Sequence, residues 1–372
     1  MGQEVDSLKL AKQDSLAITE ADNFVTASLL VATPADVLYS CAGHVSIRMQ
    51  CPYYGLDVVY TYESEAVTEK VLTFLMGNLK MGMTSVPAQR VLSDYANAGR
   101  GISEYVLNIP LDKRKQLWQY LDGKVEEGMN LPYDFLYRGC AITSLRAIQA
   151  ALLPDTISFG KWDEKFVKKS RRVLVSNQVI KYPWQHFFLQ TMAGTEVEQP
   201  CAITSKVIIP QDLIDVLQKA TLNGQPLLEQ PQILATVEFS ADQCAWFPTP
   251  KMLAFVLLML AFVSCCYMQR SLSYLFLLLQ SLFGIFMIYL VVFSNLPCTN
   301  FSWLLIPFNP LPLLFWYWRK LWLLPFGVIC SVWSLVMFLQ MGNTLVDLAH
   351  IVFALALAVN CISQWIYIRK LK

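Results

Sequence analysis

Residues 252–372 restrict the possible folds of this chain more than any other feature does. They are mostly Leu, Phe, Val, Ile and Trp, with six Lys or Arg and one Asp. Each of five apolar stretches is close to the ~20 residues that a helix needs to cross a bilayer, and soluble helices rarely lack a polar face. We therefore predict about five transmembrane helices rather than a buried soluble core. The stretches are Met252–Met268, Ser273–Phe293, Ser302–Trp318, Leu321–Gln340 and Leu345–Ile368.

The third stretch is the irregular one, because Pro307, Pro310 and Pro312 interrupt it. It can either cross as a kinked helix or dip into the membrane and return. With five crossings, all six basic residues of the tail fall on one side of the membrane, which the positive-inside rule makes cytoplasmic. Residues 1–251 then lie outside the cytoplasm. Since residues 1–15 are polar, we expect that a signal peptide ahead of them has been removed.

Residues 1–250 have the composition of an ordinary soluble domain. The part before the tail has 23 basic and 27 acidic residues, and the whole chain has a net charge of +1, so no nucleic-acid partner is indicated. It has no glycine-rich phosphate loop, no CxxC pair and no metal-spaced cluster, so we predict no cofactor and no metal. The predicted domains are an N-terminal extension (1–29), an extracytoplasmic domain (30–248) and a transmembrane domain (249–372).

Cys140 stands immediately before a segment with the apolar spacing of a helix. Ile142, Leu145 and Ile148 form one stripe, Gly139 precedes the segment and Pro154 ends it. A helix N-terminus stabilises a thiolate through its free N–H groups and its dipole. Cys140 is thus either a nucleophile or a small buried hydrophobic residue, and the pattern alone leaves both readings open.

His44 is the histidine with the most informative setting. It opens a stretch in which Val45, Ile47 and Met49 alternate with polar residues, which predicts a strand. "CPYYG" then predicts a turn into a second strand, "GLDVVYTYES". An imidazole near Cys140 would complete an activated nucleophile. The other two histidines, His186 and His350, are expected to be structural.

Five cysteines precede the apolar tail, and their order suggests disulfides that leave Cys140 free. Cys41 could pair with Cys51, and Cys201 with Cys244, although connectivity does not follow from sequence. The apolar segment "FLMGNLKMGM", residues 74–83, is a candidate for contact with lipid, and a packed loop or core helix is the alternative.

Four blocks in order, "YSCAGHVSIRM", "GLDVVYTY", "YANAGRGISEYVLNIP" and "YDFLYRGCAITSLRAI", resemble the N-terminal periplasmic domain of the Lnb family of lipoprotein N-acyltransferases. The resemblance is good over residues 30–150 and weaker to about 245. It implies an α+β fold with a circularly permuted papain-like cysteine domain, followed here by an α-helical bundle of about five transmembrane helices. It also implies a multi-pass protein of the bacterial inner membrane with a periplasmic N-terminal domain.

The resemblance also implies roles for individual residues. Cys140 matches the nucleophile and His44 the base. Arg48 and Arg100 match the arginines of the "GHxxIR" and "GR" positions, and they are predicted, with Gly139, to bind substrate. The family usually has Asn where this chain has Gly139, and often Asn-Tyr where it has Thr61-Tyr62. The residue that orients the histidine is therefore open, with Tyr62 and Asp57 as candidates.

The implied activity is an acyl transfer through a cysteine thioester. The acyl donor is a phospholipid, and the acceptor is the α-amine of a diacylglyceryl lipoprotein. Two alternatives stay open from the sequence. One is a membrane-anchored cysteine amidase or peptidase acting on cell-wall peptides, and the other is a non-catalytic binding module of the envelope.

Overall fold

The computed structural model describes residues 12–35, 42–67, 69–134, 136–179, 182–199, 201–236, 248–267, 270–318, 320–340 and 346–370. The chain divides into two compact units. The first, called here the sheet unit, comprises residues 1–71, 79–168 and 202–241, and the second, the helical unit, comprises residues 72–78, 169–201 and 242–372. The predicted domains were continuous, whereas residues 72–78 and 169–201 group with the helical unit.

The sheet unit is built on a seven-stranded antiparallel sheet with the strand order β6-β4-β3-β2-β1-β5-β9. Its chain order is interrupted at β1, which lies between β2 and β5. The short strands β7 and β8 form a separate two-stranded ribbon. The strands are β1 (Thr26–Ala32), β2 (His44–Cys51), β3 (Leu56–Ser64), β4 (Lys80–Pro87), β5 (Ile102–Val106), β6 (Leu131–Pro132), β7 (Thr221–Leu222), β8 (Gln225–Pro226) and β9 (Gln232–Ala235).

Helices cover both faces of this sheet. One face packs against α4 and α5 in the main core, which contains Ile47, Tyr60 and Leu145. The other face packs against α3 through Leu30 and Val59. The helices of this part of the chain are α1 (residues 12–20), α2 (Val71–Leu75, at the junction with the helical unit), α3 (Ala88–Asn97), α4 (Leu111–Glu127), α5 (Cys140–Leu152), α6 (Glu164–Lys168) and α9 (Pro210–Gln218).

The predicted hairpin and helix around the candidate site are confirmed. β2 and β3 pair antiparallel, and the connection is a single turn of 3-10 helix, Pro52–Tyr54. Gly55 closes that turn at φ 63°, a left-handed conformation that favours glycine. The helix α5 begins at Cys140 and ends at Leu152, two residues before Pro154. Sequence periodicity was sufficient here because the apolar residues of each element recur with the period of a strand or of a helix.

The helical unit contains α7 (Arg171–Val179), α8 (Pro183–Met192), α10 (Pro250–Tyr267), α11 (Arg270–Phe293), α12 (Leu311–Trp318), α13 (Leu323–Leu339) and α14 (Leu348–Lys370). Among the described residues, three helices are long and apolar enough to cross a membrane: Pro250–Tyr267, Ser271–Phe293 and Leu348–Lys370. The apolar helix α13 is shorter, with 17 residues.

The third predicted stretch is not one continuous helix. Residues Trp303–Leu305 form a 3-10 turn, and α12 follows only at Leu311. Between them, the side-chain amide of Asn309 donates to the carbonyls of Leu305 and Ile306. Prolines 307 and 310 lack the N–H groups that a helix needs, which explains the break. Five crossings therefore stay a prediction, and α12 alone, at ~12 Å, is too short for one of them.

The apolar segment at residues 74–83 is packed. Phe74, Leu75, Met81 and Met83 are all buried. Within the helical unit, the N–H of Asn295 donates to the carbonyl of Met76 at 2.9 Å. These contacts correspond to the packed alternative rather than to a lipid-facing surface.

Candidate functional site

The Cys140 side chain lies at the first residue of α5, where the helix presents free N–H groups. The backbone N–H groups of Val45, Cys140 and Ala141 act on the thiol and lower its pKa, which favours the thiolate. Cys140 is a free thiol. Since Val45 directly follows His44 in β2, the nucleophile candidate and the base candidate belong to adjoining parts of the sheet unit.

The position of the thiol is explained by the end of a strand ladder. The pairing of β2 with β3 runs from Cys51↔Leu56 to Ile47↔Tyr60, whereas the pairing of β2 with β1 continues to Ala32↔His44. The first three residues of β2 thus have β1 as their partner in these ladders. Among these three residues, Val45 has the backbone N–H that lowers the pKa of the Cys140 thiol. The helix α5 packs against both β2 and β3, and the ladder between these two strands ends before His44.

The imidazole of His44 is held by Thr61 in β3. Its Nε2 lies 2.7 Å from the Thr61 Oγ1. If Nε2 carries the proton, Nδ1 is left as the acceptor that a general base needs. In the described part of the chain, no hydrogen bond joins Cys140 Sγ to the imidazole. Catalytic hydrogen bonds are often loose without substrate.

Burial keeps both groups neutral at rest. Burial, with a smaller contribution from the positive charge of Arg100, lowers the pKa of His44 to about 4. Burial also raises the pKa of the Cys140 thiol, although the three backbone N–H groups and Arg100 act in the opposite direction. The helix N-terminus was expected to favour the thiolate, and here desolvation outweighs that effect. The resting pair is therefore a thiol and a neutral imidazole.

Arg100 is the charged side chain that acts on both groups. It is 8% exposed, its Nε donates to the Thr33 carbonyl at 2.7 Å, and its guanidinium lies over the Tyr95 ring at 4.7 Å. A fixed cation near a carbonyl carbon under attack stabilises the oxyanion that develops. Arg100, which was predicted to bind substrate, thus lies where it can influence the chemistry.

Arg48 lies within an ion-pair network. Its guanidinium pairs with Asp57 through two nitrogens, at 2.7 and 2.5 Å, and with Glu104 at 3.1 Å. Ser28 donates to Glu104, and Gln50 to Asp57. This network joins β1, β2, β3 and β5. Asp57, one candidate for orienting the histidine, is therefore engaged by Arg48, and Arg48 is engaged by two carboxylates.

The remaining predicted site residues are Tyr62 in β3 and Gly139, the residue before α5. Tyr62, the other candidate for orienting His44, belongs to the main core, where burial raises its pKa. Gly139 is buried and caps α5 from an extended conformation, and its carbonyl accepts from the Thr143 hydroxyl at 2.7 Å. Among the described residues, Thr61, rather than Tyr62 or Asp57, is the hydrogen-bond partner of the imidazole.

A comparison with known protein families matches the region that contains these residues. Residues 15–161 match the family model described as the Lnb N-terminal periplasmic domain. The predicted resemblance to the Lnb family is thus confirmed over this part of the chain, which contains Cys140, His44, Thr61 and Arg100. No curated protein and no solved structure is significantly similar to this chain.

The Lnb match and the apolar helices lead to the same coarse conclusion. The chain is a membrane-associated protein of the cell envelope with a periplasmic N-terminal domain. No group of three or more potential metal ligands occurs among the described residues.

The cysteine pairings cannot be followed to both partners. Cys51 and Cys201 are free thiols in the structure. Their predicted partners, Cys41 and Cys244, lie outside the described residues.

Sequence reasoning missed Thr61 as the partner of His44. The available signal was its position, because Thr61 stands where the Lnb family often has Asn, a residue that also hydrogen-bonds imidazole. Glu104 was missed as well. It is a single acidic residue in an otherwise unremarkable strand, and only the pairing of β1 with both β2 and β5 brings it to Arg48.

Proposed function

We propose that this protein is a lipoprotein N-acyltransferase that works through a Cys140 thioester. The acyl chain comes from a phospholipid and is transferred to the α-amine of a diacylglyceryl lipoprotein. Cys140 is the nucleophile, His44 the proton carrier and Thr61 the residue that positions His44. The inner membrane is the proposed location, because both substrates are lipid-anchored there.

One observation carries this proposal. The Cys140 thiol lies at the N-terminus of α5, where the backbone N–H of Val45 acts on it, and the residue before Val45 is a histidine whose ring is bonded to a hydroxyl. A structural cysteine needs neither the free helix N-terminus nor the oriented imidazole. Nucleophile, base and orienting group are the three parts that covalent catalysis requires.

In the first half-reaction, Sγ attacks the ester carbonyl of a phospholipid. The S–C bond forms while His44 takes the thiol proton, because the resting thiol is neutral. The ester C–O bond then breaks, and the lysophospholipid leaves with the proton from His44. The oxyanion is stabilised by the N–H groups at the start of α5 and by the charge of Arg100.

In the second half-reaction, the lipoprotein amine attacks the thioester carbonyl. The N–C bond forms, the C–S bond breaks, and His44 carries the amine proton to the departing sulfur. The free thiol is thereby regenerated. Gly139 has the role of letting the acyl group approach the start of α5, and Arg48 holds the strands that carry His44 rather than meeting a headgroup.

The test is the intact mass of the purified full chain after incubation with phospholipid vesicles. We expect the wild type to gain one acyl mass on Cys140 and to lose it when a diacylglyceryl lipopeptide with a free amine is added. Cys140→Ser should gain no thioester mass, whereas Cys51→Ser, a second free thiol of the same unit, should behave like the wild type.

The other outcomes separate the alternatives. Transfer of the acyl chain without any acyl mass on the enzyme contradicts the covalent mechanism. Cleavage of muropeptides without acyl transfer would instead identify the amidase or peptidase. If the folded protein shows neither activity, the non-catalytic envelope binding module is the function that remains.

A further inference from the structure

A second set of chemically complementary side chains lies in the helical unit, apart from Cys140. Ser176 in α7, His186 in α8 and Asp347 just before α14 are joined in one hydrogen-bonded chain. The Ser176 Oγ lies 2.6 Å from His186 Nε2, and the Asp347 Oδ2 lies 2.7 Å from His186 Nδ1. A nucleophile bonded to a base, and that base bonded to a carboxylate, is the arrangement of an activated serine.

The hydrogen bonds define which nitrogen is the base. The other carboxylate oxygen of Asp347 accepts from the N–H of Ala349 at 2.8 Å, which fixes the carboxylate. Its Oδ2 then accepts a hydrogen bond from the Nδ1–H of His186. The lone pair of Nε2 consequently faces the Ser176 hydroxyl. This is the tautomer in which a histidine can take a proton from serine.

A nearby buried nitrogen gives independent support for a ligand. The Thr191 hydroxyl donates to the Phe187 carbonyl, so His350 Nε2 donates to the Thr191 oxygen, at 2.8 Å. His350 Nδ1 is then an acceptor, and it is buried without a hydrogen-bond partner among the described residues. Buried polar atoms are normally paired. A water, hydroxyl or amine at this place would satisfy it.

This acceptor adjoins the hydrogen-bonded chain. The N–H of His350 donates to the Asp347 carbonyl at 2.9 Å, and the His350 ring stacks on Phe187 at 4.2 Å, the residue that follows His186. Ser176 is 3% exposed, while the His186 side chain is 12% exposed. The imidazole is thus the more accessible side of the group.

We propose that Ser176, His186 and Asp347 form a second nucleophilic site, a serine site that accepts the acyl group of an ester or thioester. Ser176 Oγ attacks the carbonyl carbon, the Oγ–C bond forms, and the hydroxyl proton passes to His186 Nε2. The bond to the departing alcohol or thiol breaks, and that group leaves with the proton from His186. Asp347 stabilises the imidazolium. The site does not depend on the chemistry at Cys140.

The experiment uses an alkyl fluorophosphonate on the full chain in detergent, in a Cys140→Ala background. Serine attack forms an Oγ–P bond and releases fluoride, while the proton goes to His186. We expect one adduct, located on Ser176 by peptide mass spectrometry. His186→Gln should lower the labelling rate about 100-fold, the scale of general-base catalysis.

A matched control keeps the readout specific. Ser334 is also buried in a helix, but its hydroxyl donates to the Cys330 carbonyl at 2.8 Å and meets no imidazole. Ser334→Ala should label like the parent, with an unchanged Tm. The proposal is overturned if folded protein shows no adduct on Ser176, or if His186→Gln labels at the parental rate. The peptide map of the parent protein shows whether Ser176 carries the adduct. The test therefore does not require a Ser176→Ala variant to fold.

Discussion

At the scale of single residues, Thr61 has the clearest effect on the candidate site. Its hydroxyl is the hydrogen-bond partner of His44 Nε2. The carboxamide of the Asn that the Lnb family often has here could serve the same purpose. An orienting hydroxyl contributes through the imidazole and not through binding of lipid, so its loss should affect kcat more than KM.

We therefore predict that Thr61→Val lowers kcat for acyl transfer about tenfold with little change in KM, and that Thr61→Asn restores most of it. The measurement is steady-state transfer to a lipopeptide. Thr84→Val is the matched control, because Thr84 pairs with Thr61 in the ladder and its buried hydroxyl has no partner among the described residues. Equal kinetics for Thr61→Val and Thr84→Val would exclude the positioning role.

The lowered pKa of His44, about 4, predicts the pH dependence of the reaction. Neutral imidazole persists well below pH 6.5, so kcat/KM should stay level down to about pH 5 and fall toward pH 4. Arg100→Gln removes a charge that lowers this pKa, and it should move the acidic limb to higher pH. A wild-type limb near pH 6.5 would contradict this, as would an unchanged limb in Arg100→Gln.

The same residue affects stability in a defined direction. Because the folded pKa lies below the unfolded value, the unfolded chain binds more protons between pH 6.5 and about 4. The contribution of His44 is present above pH 6.5 and is lost as the pH falls through that window.

At the scale of secondary-structure elements, the ion-pair network of Arg48 ties four strands together near the site. Arg48 and Glu104 are largely buried, with side chains 12% and 8% exposed. Removing the arginine leaves Glu104 without its cation, and an uncompensated buried charge is costly. Its main effect is therefore expected on the sheet and not on substrate binding.

We predict that Arg48→Met lowers the free energy of unfolding by about 3 kcal/mol. In thermal unfolding of the full chain, this corresponds to a Tm that is lower by roughly 6–12 °C. Arg90→Met is the control. Arg90 is 76% exposed and lies 3.9 Å from Asp94, so its loss should change stability by less than ~0.5 kcal/mol. Similar shifts in both variants would remove the argument for the network.

The hairpin and α5 were predictable because their apolar residues recur with the period of a strand and of a helix, although α5 is buried on most of its surface. Ile47 and Met49 mark a strand, and Leu145 and Ile148 mark a helix, whatever the rest of the fold does. The point where the β2–β3 ladder stops is different, since it depends on where α5 docks. The pairing of His44 with Thr61, and that of His186 with Ser176 and Asp347, likewise need contacts that only tertiary structure creates.

At the scale of the whole molecule, the number of membrane crossings decides where the chain ends. If residues 302–318 cross despite their break, there are five crossings and the basic residues Arg369 and Lys370 face the cytoplasm. If they dip in and return, there are four, and these charges lie outside. The positive-inside rule favours five.

We predict that alkaline phosphatase fused after Lys370 is inactive when the chain is expressed behind a cleavable signal peptide, since the enzyme folds only outside the cytoplasm. A fusion after Tyr267 is the reference, because one crossing places it in the cytoplasm under either arrangement. High activity at Lys370 together with low activity at Tyr267 would show that residues 302–318 do not cross.

Because the two units alternate along the chain, a single truncation cannot separate the sheet unit from the helical unit. The chain passes from one unit to the other at residues 71–72, 78–79, 168–169, 201–202 and 241–242. A truncation ahead of α10 would keep residues 72–78 and 169–201 but discard the helices they pack with. The Met76 carbonyl would then lose the hydrogen bond that it accepts from Asn295, and the Gly194 N–H the one that it donates to Cys298. A water-soluble version for biochemistry must replace those two excursions as well, and a single stop codon will not produce it.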